Sequence, residues 1–221
     1  MARQQLSRER VLAAAIELAD REGIGALTIR AVANRLGSAP MAVYHHVAGK
    51  DEILDGLVDA VYAEIDEPVP GRPWRPELAR RSHSARAALA RHPWATPLLE
   101  SRRRPGPATL AQHDAVLGTL LSDGFDVPAA GHAFALLDAF VYGFALQEAT
   151  IPFAPEAIED GAREIVAGLP DGGYPYLARF VAERIGPGYA FGDEFDVGLE
   201  LVLDGIGTLR LSAPGAPHRL T

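Results

Sequence analysis

The stretch Leu27-Thr28-Ile29-Arg30-Ala31-Val32-Ala33-Asn34-Arg35-Leu36-Gly37-Ser38-Ala39-Pro40-Met41-Ala42-Val43-Tyr44-His45-His46-Val47-Ala48-Gly49-Lys50 reads as two short helices and the turn between them. Thr28 stands where a side-chain oxygen caps a helix start, and Gly37 stands where a left-handed residue ends one. Pro40 then occupies the first position of the next helix, where its missing N–H costs nothing. Helix, glycine-containing turn and second helix make a helix-turn-helix, whose second helix enters the DNA major groove. Val32, Ala33, Leu36, Val43 and Val47 are the residues that pack the pair inward. Pro40, Met41, Ala42, Tyr44, His45 and His46 remain for the exposed face. Thr28 and Lys50 flank the motif, where a hydroxyl and an ammonium meet backbone phosphates. Any helix–glycine–helix corner shares this outline, so the pattern alone does not settle function.

Working outward, Ser7 caps a helix with apolar residues at Val11, Leu12, Ala15, Ile16, Leu18 and Ala19, ended by Gly23. Arg10 stands where Glu or Gln would complete a capping box. Beyond the motif, a longer helix from Asp51 to Asp66 carries an apolar stripe of Ile53, Leu54, Leu57, Val58, Val61, Tyr62 and Ile65. Pro68 to Pro73 form a loop. Further helices are expected over Arg75–Arg91, Ala95–Glu100, Ala108–Leu121, Pro128–Ala149, Pro155–Val166, Tyr174–Ile185 and Asp193–Leu211. A frayed tail with Pro214, Gly215 and Pro217 follows. No stretch alternates like a strand, so the fold class expected is all-α.

The chain has 221 residues and a net charge of −8. Residues 1–50 carry seven cations against four anions, a net of +3, and the remainder carries −11. A basic head on an acidic body suits a protein that meets phosphates at one end, although an excess of three also falls within ordinary local variation. There is no Cys, which excludes disulfides, thiolate zinc sites and a cysteine nucleophile. H-E-x-x-H, G-x-S-x-G and a phosphate-binding Gly-rich loop are all missing, so no enzyme is expected. Met1 to Gln5 lead into a charged stretch and not a signal core, and Ala133–Leu146 is too short to span a bilayer. The cytoplasm is the expected location, with no membrane contact. His45 and His46 sit about 100° apart on a helix and do not readily share a metal ion.

The run Leu27-Thr28-Ile29-Arg30-x-Val32-Ala33-x-x-Leu36-Gly37, with Val43-Tyr44-x-His46-Val47-x-x-Lys50-Asp51-Glu52-x-Leu54, resembles the signature of the tetracycline-repressor (TetR) family of regulators. The resemblance implies a three-helix DNA-binding head over 1–50 and a helical ligand-binding and dimerisation body over 51–221. It marks Thr28, Arg30, Pro40, Met41, Ala42, Tyr44, His45, His46 and Lys50 as DNA contacts. It further implies a homodimer on a palindromic operator, released by a small hydrophobic effector, with no cofactor. The alternative is a helical small-molecule-binding protein that does not bind operator DNA.

In the body, Trp74-Arg75, Arg86-Ala87-Ala88-Leu89-x-x-His92-Pro93-Trp94, Gly106-Pro107, Gly124-Phe125 and Val141-x-Gly143-Phe144-x-x-Gln147-Glu148 resemble the tetracycline-repressor subgroup. There the histidine that holds the magnesium of bound tetracycline aligns with Leu99, which has no donor for a hard cation. His113, Gln147 and Glu148 are polar residues on apolar helices. They read either as satisfied core groups or as orienting contacts in an apolar pocket, and Asp138 is similar. A cationic effector would suit Glu148 and Asp138. Arg102-Arg103-Arg104 reads as a solvated loop or a pocket gate. The resemblance assigns the helices around Phe134–Leu146 and Phe195–Leu209 to a dimer interface. The residues expected there are Phe134, Leu137, Val141 and Phe144 on one helix, and Leu199, Val202, Ile206 and Leu209 on the other.

Overall fold

The computed structural model describes residues 5–99, 101–154, 157–170 and 173–210. Among these, the regular elements are helices: α1 (Arg8–Glu22), α2 (Ile29–Arg35), α3 (Pro40–Tyr44), α4 (Lys50–Ala63), α5 (Trp74–Arg91), α6 (Thr96–Leu99), α7 (Pro107–Ser122), α8 (Val127–Thr150), α9 (Ile158–Ala167), α10 (Pro175–Arg184) and α11 (Glu194–Arg210). The expected boundaries agree to within a residue or two, apart from the early ends of α3 and α4 and the late start of α9. Glu100, Pro155, Leu211 and the expected tail lie outside the described residues.

The head is built from local chemistry. Ser7 Oγ accepts from Arg10 N at 3.3 Å, and Thr28 Oγ1 accepts from Ala31 N at 3.1 Å. Gly23 and Gly37 take φ of 79° and 61°, conformations that cost a side chain about 1–2 kcal/mol. Val11, Ala15, Leu27, Val32, Ala33, Val43 and Val47 close its core together with Ile53 and Leu57 of α4. Small residues let the helices approach: a Cβ on Gly56 of α4 would lie 2.7 Å from the Leu12 side chain of α1. One expectation is corrected here. The recognition helix stops at Tyr44, with His45 as its C-cap, so His46 belongs to the turn that follows. Five residues are too few to carry an α-helical ladder further, and both His46 N and Val47 N bond back to Val43 O.

Helix α4 runs from head to body, packing on α1 and on α7. In the body, α8 packs on α5, α6, α7 and α11. Among the described residues, α8 alone is long and apolar enough to cross a membrane, but half of its most apolar window is buried within the body, as in a core helix. Of the residues expected at the dimer interface, Leu137, Val141, Phe144, Leu199 and Ile206 are corrected by their burial within the single chain, while Phe134, Val202 and Leu209 are half-buried. Leu137, Val141, Leu199 and Ile206 are at most 1% exposed in the single chain, because they form the seam between α8, α11 and α5. The outward faces instead carry Leu136, Ala139 and Leu146 on α8, and Val197, Leu201 and Gly205 on α11.

Candidate nucleic-acid interface and effector cavity

The exposed side of α3 presents Pro40, Met41, Tyr44 and His45, with Met41 68% and Tyr44 48% exposed. Such exposure has no packing purpose, since Val43 alone anchors the helix in the head core. Ala42 is half-buried beside it. Thr28 and Arg30 begin α2 and Lys50 begins α4, all three exposed. The cations of the head divide into two kinds. Arg35 is held by Glu17 at 2.7 Å and Arg8 by Glu52 at 3.4 Å. Arg30 and Lys50 have no ion pair among the described residues.

The turn carrying Lys50 is itself fixed. Glu52 Oε2 accepts from Ala48 N at 2.7 Å, and that bond, aided by Arg8, holds the Glu52 carboxyl below the ordinary carboxylate range despite some burial. His46 is half-buried. It lies near enough to Glu9 of α1 to add to the lowering of that carboxyl, which comes first from the backbone N–H at the helix start and from Ser7. Of the nine expected DNA-contacting residues, Thr28, Arg30, Pro40, Met41, Tyr44, His45 and Lys50 are exposed, and Ala42 and His46 are half-buried.

The three expected effector contacts do not come together. Gln147 is exposed on α8. Glu148 accepts from Arg86 at 2.5 and 3.0 Å, while the same guanidinium lies over the Phe144 and Phe195 rings. Asp138 is occupied as well, accepting from the fully buried Arg81 at 2.9 Å. These two carboxylates already have cations, which removes the reason for expecting a cationic effector. His113 is different. Its Nε2 is buried without a partner, and it lines a cavity of about 170 Å³ with Asp55, Val58, Leu99, Arg102, Arg104, Pro105, Gly106 and Thr109. A wider open groove along α4 shares Asp55, Arg102, Arg104 and Gly106 with this cavity.

Two ties join the cavity wall to α4. Arg102 donates to Asp55 Oδ1 at 2.6 Å and to the Asp51 carbonyl at 3.2 Å, so this arginine is a strut and not a solvated loop residue. Asp59 Oδ1 accepts from Thr109 N at 2.9 Å and Thr109 Oγ1 at 3.1 Å, capping α7 from a different helix. The His113 ring meets Tyr62 of α4 edge-on at 5.6 Å. Behind it lies a network that sequence reasoning missed. Tyr62 Oη and Tyr142 Oη are 3.0 Å apart, and Tyr142 donates to Asp138 at 3.2 Å. Because Tyr142 gives its proton to Asp138, Tyr62 is the donor of the pair. Burial, with Asp138 adding, pushes the Tyr142 phenol well above its ordinary range, which keeps that proton in place. Gln112 closes the network by donating to Ile65 O at 2.6 Å.

A helix-turn-helix head with free flanking cations, joined by one helix to an all-helical body with a cavity, defines a ligand-responsive regulator of transcription. The profile of bacterial regulatory proteins of the tetR family matches residues 11–57, and that of the tetracyclin repressor-like C-terminal domain matches residues 67–210. The chain belongs to the TetR family. It is 39% identical to an HTH-type transcriptional regulator of Saccharopolyspora erythraea over 58% of this chain and 56% of that one. It is 31% identical to the HTH-type transcriptional repressor DrrR1 of Streptomyces coeruleorubidus over 92% of this chain and 78% of that one. Among solved structures, ActR of Streptomyces coelicolor in complex with actinorhodin aligns with a TM-score of 0.79 at 25% identity, covering 98% of this chain and all of that one.

Proposed function

We propose that the chain is a cytoplasmic repressor that binds a two-fold symmetric operator as a homodimer and is released by a hydrophobic effector held beside His113. The observation that carries the DNA reading is the surface of α3, with Met41 and Tyr44 exposed and the unpaired Arg30 and Lys50 on either side. Met41, Ala42 and His45 are assigned to base edges, Thr28, Arg30, Tyr44 and Lys50 to phosphates, and Pro40 to the entry of the helix. Residues 1–50 are the DNA-binding unit, and the rest forms the sensor and dimer.

The outward stripe of Leu136, Ala139, Leu146, Val197, Leu201 and Gly205 supports a four-helix contact between two copies of α8 and α11. Large exposed apolar groups that line up on two packed helices mark such a surface. A two-fold dimer presents two recognition helices about one DNA turn apart or slightly more, which sets the symmetry of the operator.

Effector capture rests on the orphaned His113 Nε2 and on the struts from the cavity wall to α4. The cavity is smaller than the roughly 300–1,000 Å³ that encloses a drug-sized molecule, so binding must open it toward the groove. Opening moves Arg102 or Thr109, and with them α4. The similar ActR holds a small molecule, actinorhodin, and the effector class proposed for this chain is a largely hydrophobic molecule with a polar edge for His113 and Arg104. A tetracycline–magnesium complex is disfavoured, because Leu99 offers no donor at the position where that complex takes its histidine.

The test is protection of the DNA flanking the protein's own gene, with wild type and Leu201→Arg. Wild type should protect a palindrome, and Leu201→Arg should remain folded but monomeric by light scattering and lose that protection. A monomeric wild type, or a footprint without symmetry, would overturn the proposal.

A further inference from the structure

The sequence His92-Pro93-Trp94 follows α5, and its side chains reach back to the head. His92 Nδ1 lies 2.7 Å from Asp20 Oδ1, and Trp94 Nε1 donates to the same oxygen at 2.6 Å. Asp20 is in the last turn of α1. The other ring nitrogen, His92 Nε2, lies 3.1 Å from Oε1 of Glu64, the C-cap of α4. Arg91 donates to Oε2 of the same carboxylate at 2.6 Å. His92 is 6% exposed and Trp94 8%, with ring centroids 5.7 Å apart. Pro93 stops α5 at this point and turns the indole onto α1.

We propose that His92 and Trp94, with Asp20 and Glu64, form a proton-dependent clamp that fixes the angle of the DNA-binding head on the body. An imidazole has one N–H and one bare nitrogen, whereas an imidazolium donates at both. Both nitrogens here face carboxylate oxygens, so the arrangement is complete with the ring charged. In the neutral ring one lone pair faces another, and one of the two ties is lost. The charged groups around the ring are Asp20 from α1, Glu64 from α4 and Arg91 from α5; Arg91 is itself tied to Glu64. The clamp lies where α4 ends, so it is a second head–body connection beside α4. His92 and Trp94 are positioning residues, acting on the recognition helix through α1. The clamp tightens as the ring gains its proton and loosens as pH rises.

The test needs neither operator nor effector, so its outcome is separate from that of the function proposed above. Amide hydrogen exchange of the full chain is followed at about pH 6 and about pH 8, with rates corrected for intrinsic exchange. In wild type, protection of α1–α3 relative to α8 should fall about tenfold between the two, as expected for one charge-assisted hydrogen bond. His92→Gln should show low head protection at both pH values, without the fall. Trp94→Phe should lower protection at both and keep the fall. His46→Gln, the control for another histidine of the head, should behave as wild type. If His92→Gln fails to fold, Asp20→Asn serves in its place and should likewise lose most of the fall. Head protection independent of pH in wild type would overturn the clamp. So would a full pH dependence retained in His92→Gln or Asp20→Asn.

Discussion

In the head, helix ends are finished by residues three positions away: Ser7 caps α1 through Arg10, and Thr28 caps α2 through Ala31. In the body, Asp126 caps α8 locally through Ala129, but two other helix starts depend on side chains about fifty residues distant. Asp59 caps α7 at Thr109, and Asp123 Oδ2 accepts from Trp74 N at 2.9 Å where α5 begins. The two interiors differ in the same sense. The head core is small and apolar, whereas the body buries Arg81, Asp138, Gln112 and Tyr142 among α5, α7 and α8. A head held by local bonds folds as a unit whose outer face is free to differ. A body held by long-range polar bonds links the cavity to α4, because moving one helix removes a partner from another.

The largest effect that sharpens this contrast is at Asp138. Asp138→Ala leaves the Arg81 guanidinium buried without its counter-charge, and should cost about 3–5 kcal/mol in urea unfolding. Removing the exposed Arg35–Glu17 pair of the head by Arg35→Ala should cost about 1 kcal/mol or less. Similar losses from the two would mean that the body network does not bear the weight assigned to it. A smaller effect comes from Asp59→Ala, which removes the cross-helix cap of α7 and should cost about 1 kcal/mol. It should also lower the protection of both α4 and the first turn of α7 in hydrogen exchange. A change confined to α7 would show that the cap does not tie the two helices together.

The same contrast explains what was legible in the sequence. The caps, glycines and Pro40 of the head lie within a few residues of what they control, so α1–α4 and the exposed face of α3 could be read almost position by position. The lengths of α3 and α4 were overestimated, because apolar spacing continues into a turn as readily as into a helix. The body helices were legible from Pro and Gly punctuation, but not their partners. Apolar spacing gave Leu137, Val141, Leu199 and Ile206 correctly as a packed face, yet it does not say whether that face meets its own chain or another. Glu148 and Asp138 were visible as polar residues on apolar helices. Their partners Arg86 and Arg81 sit 62 and 57 positions earlier, beyond the reach of any local pattern. His92-Pro93-Trp94 stood out as a motif, but its contact with Asp20 is a product of the tertiary fold.

The central claim is that Arg30 and Lys50 meet phosphate while the paired Arg8 and Arg35 serve the fold. The most direct measurement is the salt dependence of operator binding for wild type, Arg30→Ala, Lys50→Ala and Arg35→Ala. Losing one phosphate contact reduces the slope of log K against log salt by about 0.9. Arg30→Ala and Lys50→Ala should each weaken binding and flatten the slope by about that amount. Arg35→Ala, whose guanidinium is held by Glu17, should leave the slope as in wild type. Equal slopes for all four proteins, or a flattening for Arg35→Ala alone, would contradict the assignment.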